Sequence, residues 1–150
     1  MILPSLLYGC EIYANCDILS KHRLVVLFNN VTRFVFNSRS QDNISISTLS
    51  NHIFGIDFLR YLESRVLLLL HKIIYTHLPT YLYRKLTFLR SSRNLLLLAV
   101  KYNLLISKRQ FFINAIRLWN ALEPNIKFKG NVTQFKRDLL GFYSRNSSRL

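Results

Sequence analysis

The chain has 150 residues, half of them hydrophobic, and its 21 Lys and Arg against 7 Asp and Glu give a formal net charge of +14. That is enough apolar material for the core of one domain, and a positive potential broad enough to suit nucleic acid or an anionic membrane surface. The longest uninterrupted apolar runs, residues 66–70 and 95–100, fall far short of the ~20 residues that span a bilayer. Residues 1–8 are apolar but lack a basic segment, contain Pro4 and soon meet Glu11, which makes a poor secretory signal. The chain therefore reads as non-secreted and intracellular, without a transmembrane segment.

In chain order, Ile2, Leu3, Leu6, Leu7 and Cys10 fall at helical spacing and predict a helix over 2–13, with Pro4 acceptable in its first turn. Asp17 can cap a second helix to about Phe36, with Leu24, Leu27, Phe28, Val31 and Val35 on one face and Arg23, Asn30, Arg33 and Asn37 on another. Residues 37–52 are rich in Ser and Asn without a clean period, which predicts a flexible joint holding a short helix over 44–49. Asp57 opens the strongest helix, to Tyr75. Its buried stripe is Leu59, Leu62, Val66, Leu69, Leu70 and Ile73, with Arg60, Ser64 and His71 opposite and Pro79 as the stop.

The apolar run 95–106, interrupted by Lys101 and Asn103, is too short for length to separate strand from helix, and an extended pair is the preferred reading. Ser107-Lys108-Arg109-Gln110 is a capping box that opens a helix to about Leu122, ended by Pro124. Phe112, Ala115, Ile116, Trp119 and Leu122 share its stripe, so Trp119 is expected to anchor the core, while Asn114 and Arg117 face away. Asn131-Val132-Thr133-Gln134 is a second capping box, and Val132, Phe135, Leu139 and Phe142 repeat at helical spacing behind it. The tail from Ser144 is expected to be disordered. The fold class is mainly α: a small single-domain helical bundle with a short extended segment around 95–106.

Cys10 and Cys16 have no matching His or Cys cluster and read as buried thiols, and His22, His52, His71 and His77 form no i,i+4 pair. No nucleophile-elbow glycine motif surrounds a serine, which leaves Ser/His/Asp chemistry without support. Tyr13-Ala14-Asn15-Cys16-Asp17 offers a single carboxylate, and the neighbouring Asn and Cys cannot replace a second aspartate as hard Mg ligands. Aromatic clusters such as Phe34-Val35-Phe36 read as core in preference to base-stacking platforms.

Four boxes recur in a telling order. Ile2-Leu3-Pro4-Ser5-Leu6-Leu7-Tyr8-Gly9-Cys10-Glu11 is followed by Asn30-Val31-Thr32-Arg33-Phe34-Val35-Phe36-Asn37, then by Leu70-His71-Lys72 through Pro79-Thr80-Tyr81-Leu82. The last is Phe112-Ile113-Asn114-Ala115-Ile116-Arg117-Leu118-Trp119-Asn120-Ala121-Leu122 with Phe135-Lys136 beyond it. Together they resemble the C-terminal region of non-LTR retrotransposon reverse transcriptases of the jockey-like and CR1-like group. The residues that carry the resemblance include Tyr8, Gly9, Glu11, Pro79, Tyr81, Phe112, Leu118, Trp119, Asn120 and Phe135. Tyr13 stands where the family usually has Trp, Glu123-Pro124 carries an insertion, and Lys101-Tyr102-Asn103 stands in for a more basic stretch.

The resemblance implies an RNA-directed DNA polymerase as the parent, with this chain a C-terminal fragment that follows the thumb and Met1 an internal methionine. The two Mg ions of polymerisation would belong to a palm with a Tyr-x-Asp-Asp box, and this chain contains no Asp-Asp pair. It is thus expected to hold no cofactor and to be non-enzymatic in isolation. Its expected partners are RNA or DNA, bound weakly through the backbone, and the missing polymerase domains. Lys108, Arg109, Arg117, Lys136 and Arg137 are the phosphate-binding candidates, with solvated helix faces as their bland alternative. Arg84, Lys85, Arg90 and Arg93 form a looser second cluster. The competing functions are a basic helical protein on an anionic membrane surface and a module that binds a partner helix.

Overall fold

Local chemistry sets several helix ends in the computed structural model, which describes residues 4, 7–37, 53–89, 94–99 and 111–147. Seven helices are present among them: α1 (Cys10–Tyr13), α2 (Ile18–Val35), α3 (Phe58–Thr76), α4 (Thr80–Tyr83), α5 (Phe111–Ala121), α6 (Pro124–Lys127) and α7 (Val132–Ser147). The Asp17 carboxylate accepts from the Ser20 amide at 3.2 Å and the Asp57 carboxylate from Leu59 at 3.0 Å. Asn131 Oδ1 accepts from the Thr133 amide at 2.8 Å. Each satisfies an amide that a helix N-terminus leaves without a partner.

The structure is a mainly α-helical small bundle with α3 at its centre: α1, α4, α5 and α7 all pack on it, and α6 packs on α7. That position explains a difference from the expected single stripe. Ser64 and His71, expected to face away, are buried along with Phe58, Leu62, Val66, Leu67, Leu70, Ile73 and Ile74, because neighbours cover α3 on more than one side. Leu59, expected inside, is partly exposed. The Ser64 hydroxyl is satisfied by donating to the Tyr61 carbonyl at 2.7 Å. Helix α3 stops at His77, whose left-handed backbone (φ 59°) lets its amide bond Ile73 O, so Pro79 starts α4 and does not itself end α3.

Three other expectations change. Gly9, at φ 64°, interrupts the anticipated 2–13 helix, so α1 begins at Cys10. Residues 144–147, expected to be disordered, continue α7, whose buried face is Phe135, Leu139 and Tyr143 while Val132 is exposed. The extended segment is real where it is described: Phe88 and Leu97 form an antiparallel bridge, with Leu89 N–H on Leu96 O at 3.0 Å and Leu98 N–H on Thr87 O at 2.8 Å. All of the joint expected over 37–52 beyond Asn37, with its short helix over 44–49, the remainder of the 95–106 segment and the Ser107–Gln110 box lie outside the described residues.

Helix α2 keeps part of its expected buried face, with Leu24 half-buried against the core. Phe28 is its anchor, stacked on Phe58 with ring centres 4.2 Å apart, and Val31 and Thr32 are buried beside it. Leu27 and Val35 are exposed instead, together with Ile18, Leu19, Val26 and Phe34. Of the two thiols, Cys10 is buried and Cys16 only half-buried.

Trp119 does anchor the core: its indole is fully buried against His71 and Phe135, and its Nε1–H donates to Leu95 O at 2.9 Å. His71 ties α3 to the α6–α7 connection, because its Nε2 donates to the Lys129 carbonyl at 2.5 Å and its ring stacks on Phe135 at 4.1 Å. A carbonyl can only accept, so Nε2 carries the proton, and the buried Nδ1 is left without a partner among the described residues. Burial pushes the imidazole below its ordinary pKa, partly offset by the Lys129 carbonyl.

A histidine held below its unfolded pKa of about 6.5 contributes full stability above that pH and loses it as pH falls through the folded value. The melting temperature of the protein is therefore expected to drop between pH 7.5 and 5. His71→Gln, which keeps a donor for Lys129 O without titrating in this range, should flatten that part of the profile. Equal slopes for the two proteins in thermal melts would remove His71 as the cause.

Candidate nucleic-acid interface

On α3, Arg65, Leu68, Leu69 and Lys72 follow helical i, i+3, i+4, i+7 spacing and therefore share one face. The start of α7 meets that face with Val132 and Lys136, and α1 closes it with Glu11, leaving a surface groove of about 380 Å³. Arg65 and Glu11 form an ion pair at 2.8 Å. Burial would lower the guanidinium's pKa, but Glu11 and the Cys10 thiol beside it outweigh that and raise it. Lys72 and Lys136 are exposed, and neither has a carboxylate partner among the described residues. The groove thus holds three cations against one anion, and the anion is already neutralised.

The five candidate residues are not gathered into one patch. Lys136 lines this groove, whereas Arg117 lines a different one, about 250 Å³, with Arg60, Glu63, Phe142 and Tyr143. There Arg117 donates to Asn114 Oδ1 at 2.8 Å, and Arg60 pairs with Glu63 at 3.0 Å, its guanidinium 5.7 Å from the Tyr143 ring centre. Burial first, then the nearby Glu63 carboxylate, raises the Tyr143 phenol far above its usual pKa. Arg137 is exposed, with its Nε 3.9 Å from Asp138. Lys108 and Arg109 lie outside the described residues.

Arg65 and Lys72 are the cations that sequence reasoning missed. Their i, i+7 spacing on the strongest helix was visible, but only the tertiary fold brings Lys136 opposite them. Of the residues that carry the family resemblance, Glu11 joins the groove through Arg65, and Leu118, Trp119 and Phe135 are buried. Asn120 bonds the extended segment, Phe112 is half-buried and Pro79 precedes α4. Tyr8 and Tyr81 are exposed.

Lys127 is also basic but unavailable. It is buried, its ammonium donates to Asn120 O at 3.2 Å, and burial lowers its pKa. At the end of α5 the ammonium meets the negative pole of the helix, a structural capping role.

No carboxylate occurs between Glu63 and Glu123, a stretch that includes most of α3, all of α4 and α5, and the extended segment. The positive potential is therefore uneven along the chain and weighted towards these elements. Among the described residues no cluster of three or more His, Cys, Asp or Glu could hold a metal ion. None of the described helices is long and apolar enough to cross a membrane. No family model, curated protein or solved structure matches this chain.

Proposed function

We propose that this chain is the post-palm, C-terminal region of a reverse transcriptase of the non-LTR retrotransposon class, and that it contributes non-specific RNA or DNA backbone binding without catalysis of its own. Two lines support the reading: the ordered boxes in the sequence, and the groove where Lys72 and Lys136 stand beside the Arg65–Glu11 pair without carboxylate partners. The groove carries the binding part of the proposal. Flexible ammonium groups on adjacent helices suit phosphate oxygens, because they act as point charges and impose no base-reading geometry. On this reading Mg is held by the palm, and the exposed apolar residues of α2 belong against the missing polymerase domains.

The test is fluorescence anisotropy with single-stranded RNA across a salt series. Affinity is expected to weaken linearly in log–log form, and Lys72→Gln with Lys136→Gln should flatten the slope by about 0.7 per lost phosphate contact. A slope untouched by both changes would reject the groove as the binding surface.

A second reading rests on a different observation. Ile18, Leu19, Val26, Leu27 and Phe34 are exposed on α2, and Arg23 and Arg33 fall among them on the same side of that helix, so an anionic membrane surface would meet apolar and cationic side chains together. Co-sedimentation with anionic but not neutral vesicles, reduced by Phe34→Ser, together with an absence of RNA binding, would favour it.

A further inference from the structure

A cavity of about 340 Å³ opens beside the C-terminus of α3, and aromatic rings make most of its wall: Tyr75, His77, Tyr83, Phe88 and Phe128. Each of the first four is fixed by the fold. The Tyr75 hydroxyl donates to Lys127 O at 2.6 Å, the His77 backbone caps α3, and Phe88 is held by its bridge to Leu97. The Tyr83 ring sits 4.3 Å from that of His77 and 6.5 Å from that of Phe88. Phe128 also lines the hollow and remains 56 % exposed, so aromatic surface faces solvent there.

Among the described residues no Lys, Arg, Asp or Glu lines the hollow, but cations flank its walls in sequence. Arg84 and Lys85 follow Tyr83 directly, Lys129 follows Phe128, and all three are exposed. Adjacent Cα atoms are about 3.8 Å apart, so the Cα atoms of Arg84 and Lys129 lie one peptide unit from a wall residue, and that of Lys85 two. The nearest carboxylate in sequence to Phe128 is Glu123, at the opposite end of α6. An uncharged aromatic interior with a cationic rim complements one ligand chemistry well: a flat, neutral base joined to negatively charged phosphates.

We propose that this pocket accepts an unstacked base of single-stranded nucleic acid, with the flanking phosphates on Arg84, Lys85 and Lys129. The inference rests on the backbone-binding reading and adds a second, sequence-tolerant site to it. A base within a duplex cannot enter, so the pocket confers a preference for single strands that the Lys72–Lys136 groove alone does not.

The experiment measures anisotropy of a labelled single-stranded RNA and of a duplex of equal length at one low salt concentration, with 2-aminopurine in the single strand as a stacking probe. The wild-type protein is expected to favour the single strand and to quench the probe. Phe128→Ala should weaken single-strand binding about tenfold and abolish the quenching, while leaving duplex binding and the melting temperature unchanged. Phe128→Tyr should retain both properties, whereas Phe128→Leu, apolar but not aromatic, should not.

Salt-dependent binding without strand preference, or a Phe128→Ala protein identical to wild type, would overturn the pocket and leave the groove standing. Binding of neither nucleic acid would overturn both. Phe128-dependent binding of a proline-rich peptide in place of RNA would overturn the nucleic-acid assignment.

Discussion

Replacing Trp119 with alanine is expected to remove about 3–5 kcal/mol of stability, a fifth or more of the ~5–15 kcal/mol that holds a typical domain folded. The indole is fully buried and touches three parts of the bundle at once: His71 on α3, Phe135 on α7 and, through its N–H, the Leu95 carbonyl of the extended segment. Alanine would leave a cavity among elements that are remote in sequence and cannot collapse together to fill it. Trp119→Phe separates the two contributions. It keeps most of the ring volume but leaves Leu95 O without its donor, a loss of about 1–3 kcal/mol. Urea denaturation followed by far-UV circular dichroism gives both values, since the wild type's only tryptophan is the residue removed. A loss below 1 kcal/mol for the alanine variant would contradict its role as the common anchor.

The features that could be read from the sequence are those whose causes are local. Asp17, Asp57 and Asn131 cap the helices expected of them, because a carboxylate or amide oxygen within reach of the next turn's free amides needs nothing from the rest of the chain. The stripe of α5 was legible for a related reason: that helix packs one face inward and leaves Arg117 outside. Periodicity failed where a helix is covered on more than one side. Ser64 and His71 fall opposite the apolar stripe of α3, where a helix with a single buried face would expose them, but the central helix of a bundle buries polar groups that find partners, here Tyr61 O and Lys129 O. It failed in the opposite sense on α2, where apolar residues lie exposed because only Phe28 and its neighbours reach the core.

The candidate groove was only half legible. Lys136 could be nominated from its capped helix, but its neighbours Lys72 and Arg65 belong to another helix, and charge counting along a chain does not reveal which faces meet. The aromatic pocket was hidden for the same reason. Tyr75, Tyr83, Phe88 and Phe128 are scattered across three elements and a loop, and each alone looks like an ordinary core residue. The fold leaves their rings at a surface.

Asn120→Ala is expected to cost about 2–4 kcal/mol, more than its modest size suggests, because its amide acts as the missing neighbour of a strand. Leu97 is fully buried. The flanking residues Leu96 and Leu98 make the bonds to residues 87–89, and the N–H and C=O of Leu97 itself turn to Asn120, which accepts from the first at 3.0 Å and donates to the second at 2.8 Å. Removing the amide orphans a donor and an acceptor together, at about 1–3 kcal/mol each when fully desolvated.

Asn120→Asp makes the test specific. One carboxylate oxygen can still accept from Leu97 N–H, but the other faces the Leu97 carbonyl and repels it. Protonation restores a donor, so the variant's folded-state pKa lies above the unfolded value of about 3.9. Its deficit relative to wild type should therefore be full at neutral pH and shrink as pH falls towards 4. That trend runs opposite to the acid loss expected from His71, so both can be read from one series of melts on wild type, Asn120→Asp and His71→Gln. A deficit in Asn120→Asp that stays constant from pH 7 to 4 would mean that the amide's donor is not what holds Leu97 in place.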